Sequence, residues 1–183
     1  FKTISEVSTP QGILAVVQKN SFDDEFSEID YSEDIIVALD DIQDPGNLGT
    51  ILRTVDSVGL KQIILSKNSA DPYNPKVVRS TMGAIFRVKI IECENLSETL
   101  KQVKKHKYEV MATSLQTTNS IYDIDYNKKV IVIGNEANGV SEKILDLADV
   151  KVKIPMLGKT ESLNASVATG IMLYEYVRQK IKK

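Results

Sequence analysis

The stretch KVIVIGNEANGVS, Lys129 to Ser141, decides the fold. Val130–Ile133 is a short apolar run of β-branched residues, which reads as a strand buried on both faces, as in a parallel sheet. It passes directly into Gly134-Asn135-Glu136-Ala137-Asn138-Gly139, and a helix is expected to begin near Ser141. Two readings of that polar hexapeptide stay open on its own evidence. One is a tight strand-to-helix turn with Ser141 as N-cap. The other is one wall of a ligand site at the carboxyl end of a parallel strand. In the second reading Gly134 lets the backbone come close to a ligand, and Gly139 takes a positive φ. Glu136 then accepts hydrogen bonds or pairs with an arginine.

Moving outward, the same pattern repeats. Apolar runs stand at Ile35–Leu39, Ile63–Leu65, Val88–Ile91 and Val110–Ala112. Helical segments are expected at Leu48–Val58, Pro75–Met82, Leu96–Lys105 and Glu142–Ala148, with a last helix from about Asn164 to Lys180. Val150–Ile154 alternates apolar and charged residues, the pattern of a strand with one wet face. Strands alternating with helices predict an α/β fold, a mostly parallel sheet with helices on both faces. Ahead of it, Gly12–Val17 reads as a short strand and Gln18–Asp34 as an acidic linker. The expected division is therefore 1–34 and 35–183.

The bulk properties narrow the function. The 183 residues, 42% of them hydrophobic, suffice for one well-packed domain. A formal net charge of −2 is not that of a protein holding nucleic acid by bulk charge, though a local basic patch is compatible with it. The single cysteine, Cys93, leaves no intramolecular disulfide or cysteine-cluster metal site and is expected to be a small buried hydrophobe. His106, the only histidine, lies in a lysine-rich stretch and reads as a surface residue, so a Ser-His-Asp triad or histidine zinc site is not expected. No apolar run approaches a membrane span, and a cytoplasmic location is expected. Gly158-Lys159-Thr160 resembles the end of a P-loop, but Lys153 stands where that motif needs its first glycine. Neither G-x-G-x-x-G nor G-x-S-x-G occurs.

Two further loops resemble the first in placement. In LDDIQDPGNLGTILRTVDSVGL, Leu39 to Leu60, Asp44-Pro45-Gly46 is turn chemistry and Asn47 is expected to cap the following helix. Leu48, Ile51, Leu52, Val55 and Val58 form its buried stripe. Gly49 and Arg53, four apart, stack on the opposite face, where glycine clears space below the guanidinium. Alternatively Arg53 simply pairs with Asp56 or another surface acid. In IPMLGKTESLNASVATG, Ile154 to Gly170, Ser162 and Asn164 are both good helix caps and both able to orient a hydroxyl or phosphate. Three polar, glycine-bearing loops at strand-to-helix junctions favour a shared ligand site.

The three loops together resemble the SpoU branch of the SPOUT RNA methyltransferases. The matches are N-L-G-x-x-x-R at Asn47–Arg53, G-N-E-x-x-G at Gly134–Gly139, and I-P-M followed by S-L-N-A-S across Ile154–Ser166. The likeness spans roughly Ile35 to Ile181. It implies a deep C-terminal trefoil knot, a feature otherwise almost absent from proteins. It also implies a homodimer, S-adenosylmethionine as methyl donor and no metal. Cofactor contacts implied by the resemblance are Gly134, Ile154 and Leu163, with Thr113 and Met156 nearby. The implied reaction is methyl transfer to a ribose 2′-hydroxyl of RNA, with Arg53 as the catalytic arginine, acting across the dimer, and Asn47, Glu136, Ser162 and Asn164 completing the site. Ribosomal RNA is the first choice of substrate and transfer RNA the second. Thr9–Gln18 resembles the junction after a small RNA-binding domain, which is expected ahead of the catalytic one. Lys76, Arg79, Arg87 and Lys89 are candidate RNA contacts, each of them alternatively ordinary surface charge. Two other readings stay on the page: a non-catalytic RNA-binding relative that keeps the knot, and an ordinary doubly wound nucleotide-binding enzyme.

Overall fold

The computed structural model describes residues 29–182, with positions 9, 12, 13, 15 and 16. The described positions 12, 13, 15 and 16 of the strand expected at Gly12–Val17 are exposed and in no strand; most of the acidic linker lies outside the described residues.

Strand β1 (Ile35–Asp40) is buried along its whole length. Its side chains alternate between two cores: Ile35, Val37 and Leu39 enter one, Ile36 and Ala38 the other. Helix α1 (Pro45–Ser57) follows, capped by Asp44, whose carboxylate accepts from the Asn47 amide at 2.8 Å. The expectation of Asn47 as cap is thus corrected. Proline lacks an N–H and has a helical φ, so Pro45 belongs at the first helical position and moves the cap to the residue before it. The Asn47 side chain is left available for other partners.

The chain continues through β2 (Gln62–Ser66), α2 (Pro75–Ser80), β3 (Lys89–Cys93), α3 (Leu96–Lys105), β4 (Glu109–Thr113), β5 (Lys129–Gly134), α4 (Glu142–Leu147), β6 (Val150–Val152) and α5 (Ala165–Ile181). The strands lie in the order β3-β2-β1-β5-β4-β6, every neighbouring pair parallel. One core joins the sheet to Leu48, Ile51 and Leu52 of α1 and Met172 and Leu173 of α5. The other joins it to Leu100 and Val103 of α3 and Ile144 of α4. The sheet is therefore covered on both faces, as the alternation of elements predicts. β6 is an edge strand and stops short of Ile154. Lys153 makes only an isolated bridge to Ser120, and Pro155 has no amide to extend the ladder. Cys93 is buried. His106 is exposed, with the Tyr31 ring stacked on it at 3.6 Å.

Gly49 has a different reason from the one expected. A Cβ there would lie 2.4 Å from Ser80 Cβ and 2.8 Å from the Val77 carbonyl oxygen. Helix α2 crosses α1 at this point, so the glycine clears space for α2 and not for the guanidinium. Gly49→Ala is expected to destabilise the chain by about 1–2 kcal/mol: overpacking of roughly 1–3 kcal/mol, less up to about 1 kcal/mol of helix propensity. The urea midpoint, compared with that of the exposed Thr50→Ala, measures this. An equal midpoint for the two variants would mean α2 does not rest on Gly49.

The order of strands has one further consequence. β1 and β5 are neighbours, with Asp40 opposite Gly134, and strands are added in opposite directions on either side of them. A crevice forms outside the carboxyl ends at such a reversal. The loops after β1 and β5 are those bearing Asn47 and Glu136.

Candidate functional site

Gly134 ends β5, and the loop after it folds back on the strand. A Cβ on Gly134 would fall 2.1 Å from both the Gly139 carbonyl carbon and the Val140 nitrogen. The close backbone approach expected for a ligand is made here by the loop itself. Gly139 takes φ +71, as expected. Asn135 organises the turn. Its Oδ1 accepts from the amides of Ala137 (2.9 Å) and Asn138 (3.1 Å), and its Nδ2 donates to the Asp41 carbonyl (2.8 Å). The Gly139 amide closes the loop onto the Asn135 carbonyl at 2.9 Å. From the β1 side, the buried Asp40 carboxylate accepts from the Ser141 amide at 2.8 Å. Ser141 stands at the start of α4, but its own side chain makes no capping bond.

This arrangement presents Glu136 on the outside of the turn, where its Oε1 accepts from Asn47 Nδ2 at 2.8 Å. The other end of the same amide, Asn47 Oδ1, accepts from Asn164 Nδ2 at 2.9 Å. Asn164 Oδ1 in turn caps α5, accepting from the Ser166 and Val167 amides. A carboxylate has only acceptors, so an ionised Glu136 orients both amides in sequence. Asn47 is nearly buried, and a hydrogen bond to a charged group contributes about 1.5–3 kcal/mol. Three loops far apart in sequence are joined by this one chain of bonds. Glu136 forms no ion pair among the described residues; its partner is an asparagine.

Arg53 and Ser162 stand apart from that chain. Arg53 is exposed and has no ion-pair partner among the described residues. The pairing with Asp56 does not occur, because Arg87 takes that carboxylate with bonds of 3.1, 3.1 and 2.7 Å. The Arg87 hydrogen bonds hold the Asp56 carboxyl below the usual carboxylate range. Helix geometry puts Arg53 about 9 Å along α1 from Asn47 and turned roughly 120° from it. Ser162 is exposed, two residues before the α5 cap.

The expected cofactor residues fall at the ends of three adjacent strands. Thr113 ends β4, Gly134 ends β5, and Ile154 lies two residues past β6; in the sheet these strands run β5-β4-β6. The Thr113 hydroxyl donates to the Val132 carbonyl at 3.3 Å. Beyond Ile154, no hydrogen bond among the described residues engages the backbone of residues 155–163. Ile154, Met156 and Leu163 are half-buried, and Leu157 is wholly exposed. Unspent amides and carbonyls beside apolar side chains suit a ligand with a flat heteroaromatic ring. Such a ring has polar edges for the backbone and faces for the aliphatic groups. No group of three or more His, Cys, Asp or Glu suited to a metal ion occurs among the described residues.

Asn135, Asp40 and Asp44 were missed as site organisers in the reading of the sequence. The signal was present for Asp44, since Asp before Pro is a helix-start pattern. For Asn135 it was weaker: an asparagine two residues before a turn often bonds its own backbone. Nothing local marks Asp40, whose partner is 101 residues away.

Fold and site define an α/β protein with a polar cluster at the strand-order reversal, beside the carboxyl ends of the parallel strands. The chain belongs to the SpoU rRNA methylase family, whose description matches residues 34–174. It is 32% identical over 175 residues to the Bacillus subtilis 23S rRNA (guanosine(2553)-2′-O)-methyltransferase RlmP, covering 95% of this chain and 68% of that protein. It is 39% identical over 146 residues to a Mycoplasma pneumoniae protein described as an uncharacterized tRNA/rRNA methyltransferase, covering 78% of this chain and 60% of that one. Among solved structures it resembles the SpoU methyltransferase AviRb from Streptomyces viridochromogenes in complex with the cofactor AdoMet. The TM-score is 0.77 at 34% identity, over 82% of this chain and 62% of that one. The chain thus spans about three fifths to two thirds of the length of these proteins.

Proposed function

We propose that this chain is the catalytic unit of an S-adenosylmethionine-dependent RNA methyltransferase that methylates a ribose 2′-hydroxyl. The observation that carries the reading is the Glu136–Asn47–Asn164 chain, which joins the three signature loops beside the strand ends bearing Thr113, Gly134 and Ile154. Ile154, Met156 and Leu163 flank the cofactor's adenine, and backbone groups around Gly134, Ile154 and Leu163 read its edge. The bound cofactor supplies an activated methyl group on a sulfonium centre. Residues 35–183 form the catalytic domain and 1–34 the junction before it. Ribosomal RNA is the substrate this reading prefers to transfer RNA, since the RlmP name specifies 23S rRNA. The protein works in the cytoplasm; no helix of the described residues is long and apolar enough to cross a membrane.

Arg53 does not remove the proton from the 2′-hydroxyl, because a guanidinium with pKa above 12 rarely gives up a proton itself. It holds the flanking phosphate and orients the hydroxyl, stabilising charge as the oxygen is deprotonated. Its separation from Glu136 and Asn164 along α1 supports a site completed by a second copy. So does the exposed apolar stripe Val167, Tyr174 and Ile181 on α5, spaced seven apart and able to pack against a partner helix. The C-terminal third is proposed to form the trefoil knot. The chain leaves the β6 edge and returns to α5, which packs on α1 and β5, so residues 153–164 cross the ends of β4 and β5. There Lys153 is hydrogen-bonded to Asn119 and Ile121, bringing the β4–β5 connection against the same crossing.

Calorimetric titration with S-adenosylmethionine tests the reading. Micromolar binding is expected, lost in Met156→Glu with the fold intact by circular dichroism. No heat from a well-folded chain would overturn the cofactor assignment.

A further inference from the structure

Residues 72–91 carry Lys76, Arg79, Arg87 and Lys89 and no acidic residue, in a chain of formal net charge −2. The most exposed large apolar side chains within this basic stretch are Phe86, 83% exposed, and Met82, 69%. They are held there. Thr81, Ala84 and Val88 are buried, while Met82 and Phe86 between them are exposed. The Ala84 amide bonds the Thr81 carbonyl at 3.0 Å and the Val88 amide bonds the Ala84 carbonyl at 2.9 Å. Met82 takes φ +50, a left-handed conformation unfavourable for its side chain. That conformation is the common left-handed ending of a helix, Met82 following the α2 C-cap Thr81; the exposed phenyl ring is covered by no packing among the described residues.

The segment is anchored to α1 at two points, one on each side of Arg53. Ser80 and Val77 meet α1 at Gly49, and Arg87 binds Asp56. Gly49, Arg53 and Asp56 follow one another at spacings of four and three, on one face of the helix. Arg87, expected as an RNA contact, is thus first a strut that fixes the 3-10 turn Ala84–Phe86 beside Arg53.

We propose that Met82 and Phe86 form a stacking platform for an RNA base neighbouring the nucleotide whose ribose Arg53 orients, with Arg79 and Lys76 following the phosphates. This rests on the RNA-methyltransferase reading and deepens it. Unpaired bases stack on exposed aromatic side chains while nearby cations track the backbone. A second copy of this chain is the less favoured occupant. Lys76 and Arg87 are paired with Asp44 and Asp56, so a contact across a two-fold axis centred here sets the exposed Arg79 against its own copy.

The test is fluorescence anisotropy of the full chain with a labelled single-stranded RNA of about 12 nucleotides, and with an abasic strand of the same length, at low salt. Phe86→Ala is expected to bind the base-bearing RNA about 5- to 150-fold more weakly and the abasic strand unchanged. Phe86→Tyr, which keeps the ring, stays near the unaltered chain. Arg79→Ala weakens both strands and lowers the salt slope by about one. Full affinity in Phe86→Ala, or equal loss on both strands, overturns the platform while leaving the RNA reading intact. A change of oligomeric mass in Phe86→Ala, by light scattering, assigns the patch to a copy-to-copy contact instead. If the unaltered chain binds neither strand, the RNA reading fails and takes this one with it, whatever the calorimetry shows for the cofactor.

Discussion

Gly134→Ala is expected to abolish S-adenosylmethionine binding and to destabilise the chain by about 3 kcal/mol or more. The added methyl would lie 2.1 Å from two backbone atoms and 2.4 Å from a third, the Gly139 carbonyl oxygen. β5 cannot yield, because it is paired with β1 along its whole length, Gly134 included, and with β4 over residues 129–132. The loop must therefore move, and with it go the Asn135 bond to Asp41 and the Glu136 bond to Asn47. Gly139→Ala separates the two roles of glycine in this turn. Nothing lies within 4 Å of a Cβ there, but φ is +71. Its cost is backbone strain alone, about 1–2 kcal/mol. Urea unfolding and amide exchange across residues 134–141 compare the two variants. Equal stability for both would refute the steric account of Gly134.

Arg53→Ala is expected to lower methyl-transfer turnover about 10²–10³-fold, the typical effect of deleting one preorganised donor. Its fold and cofactor affinity should stay intact. The side chain is exposed and without an ion-pair partner among the described residues, so the stability change should stay within about 0.5 kcal/mol. Arg53→Lys should be nearly as slow, because lysine keeps the charge and loses the planar fork. Near-normal turnover in the lysine variant would rule out bidentate positioning. Mixing subunits tests whether the site is shared. Arg53→Ala and Glu136→Ala chains, each inactive alone, regenerate one intact site in a heterodimer only if the two residues come from different copies. No recovered activity on mixing would place Arg53 and Glu136 in one chain's site.

Much of this molecule was legible from its residues. The β-branched runs at Ile35–Leu39 and Val130–Ile133 announce strands that need cover on both faces, and the two cores of β1 supply it. Helix α3 begins and ends where its periodicity places it. Glu136, Asn47 and Asn164 were singled out from three separate loops, and the fold brings them into contact.

Other assignments went astray where a residue's reason lay in a distant partner. Gly49 looked like clearance for Arg53 and is clearance for α2. Gly134 looked like clearance for a ligand and is filled by its own loop. Arg87, a candidate RNA contact or ordinary surface charge by sequence, has its partner in Asp56, 31 residues away.

By itself the sequence determined the strands, the helices and the three loops at their junctions, because hydrophobic period and turn chemistry are local properties. Which loops meet, which amide faces Glu136, and what each glycine makes room for were decided only by the tertiary structure. Those depend on strand order and on contacts across about 90 to 120 residues of chain, where no local preference of the backbone can act.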